Sequence, residues 1–473
     1  MMRRLNDSAL PRLACGTDVS DSALGRVLIE IWEQQHTDSK RLAALCDDAV
    51  ERSGRGHDNR GRFWAHLSRA LMLAGERPSE ASEADLAVAT NLVERVRDPR
   101  AARLVSICEA TLLTHAGLHP AALERFNALP LLSKSGRDDA DDHWVLQGRA
   151  TCAMAIGAID TAFDALYANL HLAERTGPLV RHWMIAAELA RLLMSVEQID
   201  EGVALLEQLL AGKHLPAAST HAWVRVRHAQ AAGYLLRQRH DEALATLLSI
   251  VDCEVVKASD SIGFQIREDL VRVCVAQVRF DDARRHLDRA YEDAEALGAS
   301  NLLGACHLQA ARLARAEGHV TRAIDLLERA LSCFDLEPAT VVRSMGHKEA
   351  AELLTECYAE AGQFEQAYGC HRRFFDIYRR RVEHVTLGQE AAARCKQSQT
   401  AAIEMSVREI DCLRWCAAGK TAWETGQILN LSEWTVVYHL ERVKRKFGLS
   451  RKQQVVARAI SLGLIQPQQR IAA

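Results

Sequence analysis

The chain has 473 residues, 5% of them aromatic and 9 of them proline, and a formal charge of −3. That length exceeds one ordinary core and points to several domains or a repeat array, while scarce proline points to long helices with short connections. No apolar run approaches the roughly 18 residues of a membrane span, no apolar leader follows Arg3 and Arg4, and the 13 cysteines form no C-x-x-C pair. The expectation is a cytoplasmic chain without membrane contact, whose cysteines are small buried thiols rather than disulfides or zinc ligands. Residues 1–97 come first. From about residue 20 they read as helices, "LGRVLIEIWEQQ" among them, either as degenerate repeats or as a cap.

A repeat of about 40 residues occupies 98–380. Small residues follow tight turns at Ala122, Ala162, Gly202, Ala243, Ala283, Ala323 and Ala367, spaced 40, 40, 41, 40, 40 and 44. Twelve residues before each stands another mostly small residue: Ala110, Ala150, Ala190, Ala231, Val271, Ala311 and Thr355. Two small positions per period imply two helices in close approach. Apolar residues after the anchors recur at helical spacing, as in Ala323, Leu327 and Ala330. A single pair cannot bury its apolar faces, so the pairs must stack. On these features the stretch resembles the tetratricopeptide repeat family in a longer variant, with Tyr234 and Tyr358 in the tyrosine place and most of the first-helix aromatics missing. The resemblance implies an α-solenoid with a groove for a protein, a peptide or a small ligand. His182, Trp183, Trp223 and Arg227 fall on first helices, which line the groove in such repeats, and are its candidates. Core packing for the tryptophans and a solvated face for the others is the competing assignment.

Residues 381–400 are rich in Ala, Gln, Glu, Lys and Arg and read as a helical linker. The tail, 401–466 with a short end at 467–473, is charged differently from the body. Residues 401–473 hold 11 Lys and Arg against 6 acids, a surplus of 5 that leaves the remainder near −8. A basic end on an acidic body is the electrostatic outline of a nucleic-acid reader. "SVRE" from Ser406, "TAWE" from Thr421 and "SRKQ" from Ser450 are capping boxes, and Ser432 caps a third helix start. Four helices follow. The second and third, joined by Asn430 to Ser432, form a helix-turn-helix with Gly426 at the crossing and Leu429, Val436 and Leu440 on its apolar side. Gly419-Lys420-Thr421 also ends the phosphate loop of nucleotide hydrolases. That loop needs a glycine at 414, where Arg414 stands, and a preceding strand, where "EIDCLRWCAAG" reads as helix. With no other catalytic or metal-binding pattern, neither an enzyme nor a cofactor is expected.

Met405 to Ile465 resembles the LuxR-type helix-turn-helix domain along its whole length. It matches at Arg408-Glu409, Leu413, Gly419-Lys420-Thr421, Ser432, Thr435-Val436, His439, Lys446-Phe447 and Leu462 to Ile465. The wording is nearest the acyl-homoserine-lactone branch, but the body is not that branch's ligand domain. The resemblance implies phosphate contacts from Lys420 and Thr421, backbone contacts from Thr435 and His439, and base-facing positions at Val437, Tyr438 and Glu441. It implies supporting contacts from Arg408, Trp423, Ser432, Trp434, Arg442, Arg445 and Lys446. It also implies that a fourth helix, Arg451 to Leu462, pairs two domains through Val455, Val456, Ala459 and Leu462. Val437 offers only apolar contact, and Glu441 can accept from cytosine but repels phosphate.

The expected protein is all-α, a tetratricopeptide-like solenoid followed by a small four-helix LuxR-type domain. Its expected function is transcription regulation. The solenoid receives a partner or ligand, and the tail binds double-stranded promoter DNA as a homodimer, with RNA polymerase a candidate partner. The alternative is a scaffold or anti-activator that pairs with other LuxR-type proteins without reading DNA.

Overall fold

The computed structural model describes residues 23–465 except 35–38, 56–57, 75–78, 97, 99, 133–140, 177–178, 212–220, 258–259, 299, 337–342, 402–404, 448, 450–451 and 462–463. The described residues are helical, with no strand. Helices α1 (Ala23–Gln34), α2 (Ser39–Gly54), α3 (Asn59–Met72) and α4 (Ser79–Val96) precede a regular series of pairs. These are α5 (Ala101–His115) with α6 (His119–Ala128), α7 (Asp142–Ile156) with α8 (Ile159–Thr176), and α9 (Leu179–Ser195) with α10 (Ile199–Leu210). Then come α11 (His221–Leu236) with α12 (His240–Leu248), a single turn α13 (Glu254–Lys257), and α14 (Asp260–Ala276) with α15 (Phe280–Leu297). Last are α16 (Ser300–Ala316) with α17 (Val320–Asp335) and α18 (Arg343–Glu360) with α19 (Phe364–Ala401). The C-terminal domain holds α20 (Val407–Ala417), α21 (Ala422–Leu429), α22 (Glu433–Phe447) and α23 (Lys452–Ser461).

Two compact units divide the chain: Met1–Leu206 with Gly212–Gln389, and Glu207–Ala211 with Glu390–Ala473. The boundary falls inside α19, and the stretch 381–400 is helical as expected, as part of that one helix from Phe364. Within the first unit, Gln389 Nε2 donates to the carbonyl of Val196 at 2.9 Å. The final helix thus returns to the turn of a pair four repeats earlier.

The repeat is built on its small residues. Ala122, Ala162, Ala243, Ala283 and Ala323 are fully buried, as are Ala110, Ala150, Ala190, Ala231, Val271 and Ala311. Gly202 shows why size matters. A Cβ there would stand 2.7 Å from the carbonyl oxygen of Ala190, its partner position on the first helix. Residues 23–96 pack onto the first repeats. Leu28, Phe63 and Trp64 share one hydrophobic core with Leu104, Phe126 and Val145 of the first repeats.

Every intra-pair turn has the same backbone. Five residues before each anchor lies a residue in the left-handed region: Gly117, Gly157, Glu197, Gln238, Val278, Gly318 and Gly362, with φ from 57° to 85°. The next amide closes a six-residue ring to the helix, as in Gln198 N to Leu193 O at 3.0 Å and Arg279 N to Cys274 O at 2.8 Å. This is the Schellman termination, which favours glycine at that position. Three turns adopt it without glycine, and Val278, β-branched at φ 60°, is the most strained.

Candidate nucleic-acid interface and inner groove

The C-terminal domain starts each helix as its sequence dictates. Ser406 Oγ accepts from Glu409 N at 3.2 Å while Glu409 Oε2 accepts from Ser406 N at 2.8 Å. Thr421 and Glu424 repeat the reciprocal pair at 3.2 and 2.8 Å. Ser432 Oγ accepts from Thr435 N at 3.0 Å. The box from Ser450 lies outside the described residues. Gly419 (φ 84°) ends α20, so Gly-Lys-Thr joins two helices rather than a strand and a helix. At the start of α21 the box occupies the amides of Thr421 and Glu424, leaving those of Ala422 and Trp423 to an anion. The helix-turn-helix crossing is tight, since a Cβ on Gly426 would lie 2.7 Å from Leu431 O. Leu413, Val443, Phe447, Val455 and Ala459 form the core.

Glu409 is the buried acid of this domain, and it collects Lys446 Nζ at 2.6 Å and Arg442 Nε at 3.4 Å besides the Ser406 amide. Burial would raise its pKa, but Lys446 and the Ser406 hydrogen bonds outweigh burial and hold it below the usual value. Lys446 and Arg442, both expected at DNA, therefore also tie α22 to α20. Lys420 pairs with Glu424 at 3.3 Å and Lys444 with Glu441 at 2.7 Å, which neutralises the acid at a position expected to face bases. Arg408 and Arg445 are exposed and make no ion pair among the described residues. On α22, Trp434 is 76% exposed and stacks on Tyr438 at 5.9 Å, and the Arg442 guanidinium lies 5.8 Å from the Tyr438 ring centroid. Val437 is exposed, Thr435 and His439 are half-buried, and Nδ1 of His439 has no partner among the described residues. Trp423 and Ser432 are exposed on α21 and at the start of α22.

Two of the residues expected to pair domains are inside instead. Val455 and Ala459 pack into the domain's own core, with Val456 against it, because the apolar stripe of α23 is spent on α20 and α22. Leu462 lies outside the described residues.

In the body, the first helices carry a polar ladder that spans the repeats. Gln147 Nε2 donates to Glu188 at 2.8 Å, Arg191 donates to His228 Nδ1 at 2.9 Å, and His228 Nε2 meets Asp269 at 2.9 Å. Gln309 donates to Glu268 at 3.3 Å, and Glu349 takes Arg312 at 2.6 Å and Arg272 at 3.5 Å. One rung per repeat follows from the period that spaces the anchors. His228 accepts at one nitrogen and donates at the other, which fixes a neutral tautomer. Burial and Arg191 lower its pKa. Burial, helped by Asp269, pushes Glu268 up to about 7. A cavity of about 850 Å³ opens beside this ladder, bordered by Arg272, Arg312, Arg315, Glu349, Glu352 and Glu356. Buried Gln309 Oε1 and Arg312 Nε have no partner among the described residues.

Trp183, Trp223 and Arg227 make none of these rungs. Trp183 is buried in the core, and His182, the residue before it on α9, is half-buried. On α11, residues 223, 227, 230 and 234 recur on the side away from 221, 225 and 228. There Arg227 lies 5.4 Å from the Trp223 ring and donates to Gln230 at 2.6 Å, and Gln230 donates to Tyr234 at 3.0 Å. The ladder was detectable in sequence by applying the 40-residue register to polar positions as well as small ones. Among the described residues no cluster of His, Cys, Asp and Glu could hold a metal ion. No helix there is long and apolar enough to cross a membrane.

Residues 404–459 match the family model of bacterial regulatory proteins, luxR family. Over 71 residues, 15% of this chain, the sequence is 45% identical to the HTH-type quorum sensing-dependent transcriptional regulator VjbR of Brucella abortus, covering 27% of that protein. The chain therefore spans about a quarter of the length of the curated relatives it matches. The helical body is similar to the apo quorum sensor NprR from B. thuringiensis, with TM-score 0.54 and 12% identity over 76% of this chain and 100% of that one. It is also similar to a Rap protein complexed with competence and sporulation factor, with TM-score 0.56 and 13% identity over 76% and 99% of the two chains. The C-terminal domain is a LuxR-type helix-turn-helix, and the body is a tetratricopeptide-like solenoid.

Proposed function

We propose that the protein is a transcriptional regulator. Its LuxR-type domain binds promoter DNA as a dimer, and its solenoid takes a protein or peptide along the inner ladder. One observation carries the DNA half: exposed Arg408 and Arg445, two capped helix starts and the Trp434–Tyr438 stack leave cations, amides and flat apolar surface facing solvent in one small domain. Phosphate contacts supply affinity. Apolar contact from Val437 and the aromatic face suits thymine methyls in the major groove.

Packed helices lie about 8–10 Å apart, and an extended chain rises about 3.3 Å per residue. Successive rungs of the ladder therefore meet every third residue of an extended peptide. The orphaned polar atoms of Gln309 and Arg312 suit its backbone, and the cavity bordered by the Arg and Glu side chains suits its side chains.

The test is fluorescence anisotropy of the full-length protein on promoter and scrambled duplexes across a salt series. Binding should weaken steeply with salt, by about 0.9 in log K per log salt for each phosphate neutralised. Absence of salt-sensitive binding to any duplex overturns the DNA half. The paired Glu441 and apolar Val437 favour a second reading, in which the tail pairs with other LuxR-type proteins. That reading requires the purified protein to remove such a regulator from its own DNA.

A further inference from the structure

A solenoid needs a polar outer face on its last helix, because no further repeat covers it. Helix α19 breaks this rule. Its anchor Ala367 follows Ala323 of α17 by 44 residues, so the two helices can be compared position by position. On α17, Ile324, Leu327 and Leu331 are buried, with Val320 and Phe334 packed against the same core. The matching residues of α19 are Tyr368, His371, Phe375, Phe364 and Tyr378. Phe364 is 71% exposed, Tyr368 67%, Phe375 57% and Tyr378 42%. The last helix thus carries exposed aromatic side chains at positions that an internal repeat buries, with only Tyr378 and His371 partly covered, by Phe374 and, over Tyr378, by Lys348.

The spacing of this stripe is informative. Residues 364, 368, 371, 375, 378 and 382 alternate steps of four and three, the a/d pattern of a two-helix coiled coil. Val382 is also exposed. At about 200 Å² per aromatic side chain, the exposed fractions leave on the order of 500 Å² uncovered. A stable interface buries about 800 Å² per partner, roughly 65% of it apolar in homodimers, so the stripe alone provides the apolar core of one.

We propose that two copies of the chain pair through this stripe, antiparallel, about a two-fold axis. In that arrangement Tyr368 meets Tyr378 of the partner subunit and His371 meets Phe375 of the partner subunit. Glu365, which has no ion pair among the described residues, comes beside Arg379 of the partner subunit. The surface is isologous, so it closes at two copies and does not propagate. Val455 and Ala459, buried in their own domain, take no part in this surface. The inference gives a surface to the dimer of the proposed function. Its test uses no DNA, so the two can fail separately.

The experiment is sedimentation velocity on the full-length protein at about 1–50 µM, the range in which interfaces of this size associate. The expected species has twice the 52.5 kDa chain mass. Tyr368→Glu combined with Phe375→Glu should yield monomer with unchanged circular dichroism and melting, since both side chains are exposed. Glu365→Arg or Arg379→Glu alone should weaken association about tenfold, and the two together should restore it. A monomeric wild type, as expected if a different protein covers the stripe, overturns the proposal. So does a double-glutamate variant that remains dimeric, and a charge swap that restores nothing overturns the antiparallel arrangement.

Discussion

Arginine meets opposite fates in the two units. In the solenoid, Arg191, Arg272 and Arg312 each end on a histidine or an acid of another repeat. In the C-terminal domain, Arg408 and Arg445 end in solvent without an ion pair among the described residues. Aromatic rings meet both fates within the body itself: Phe63, Trp64 and Phe163 are buried there, while Phe364, Tyr368 and Phe375 of α19 stand out as Trp434 does on α22. Residue type alone therefore says little about role. What matters is whether the fold supplies the counter-charge or cover, or leaves it to a partner. Glu409 is the exception in the second unit, a buried acid that behaves as those of the ladder do.

The exception gives the largest expected effect. Glu409→Ala removes the acceptor shared by Ser406, Lys446 and Arg442 and should cost about 3 kcal/mol. Hydrogen-exchange protection across α20 to α22 should then fall about 100-fold, and unchanged protection would return Lys446 and Arg442 wholly to DNA. In the body, His228→Ala strands Arg191 and Asp269 and should cost about 2 kcal/mol. Thermal unfolding measures it, and an unshifted midpoint would mean that the ladder is surface decoration.

Arg445→Ala should do the reverse, leaving melting untouched. Duplex binding should weaken about tenfold across all sequences, and the salt slope should shrink by about 1. A loss confined to one sequence would make Arg445 a base reader instead.

The fourth effect depends on pH. Glu268 is raised to about 7 in the folded chain against about 4.3 unfolded, so the native state binds more protons between these values. The stability from that proton is full below about 4.3 and is lost as pH rises to about 7. Glu268→Gln should flatten this slope in denaturant titrations and stabilise the body at pH 8 by about 1 kcal/mol. An unchanged slope would place the carboxyl in open water. The smallest effect is a gain. Val278→Gly relieves the left-handed turn without losing packing, because Val278 is exposed, and should raise stability by about 0.5–1 kcal/mol net of the added chain entropy. A lower midpoint would show that this turn is not left-handed.

What could be read along the chain was what neighbouring residues impose on one another. The 40-residue period, the small anchors, the caps at Ser406 and Thr421 and the crossing at Gly426 each depend on a few adjacent residues or on two helices joined by a short turn. Backbone amides within four residues and a Cβ that fits or does not fit are local matters, so sequence alone settled them, along with the fold class. The rest needed the stacked molecule. The left-handed turns at Glu197, Gln238 and Val278 carry no glycine, because the flanking helices hold a conformation the residues disfavour. Trp183, Trp223 and Arg227 lie on first helices as expected, yet which side of a helix faces the groove is set by both neighbouring pairs. Glu409 meets Lys446 across 37 residues and His228 meets Asp269 across 41. Such partners are chosen by packing in three dimensions, where a charge finds its counter-charge or, as on α22, finds water.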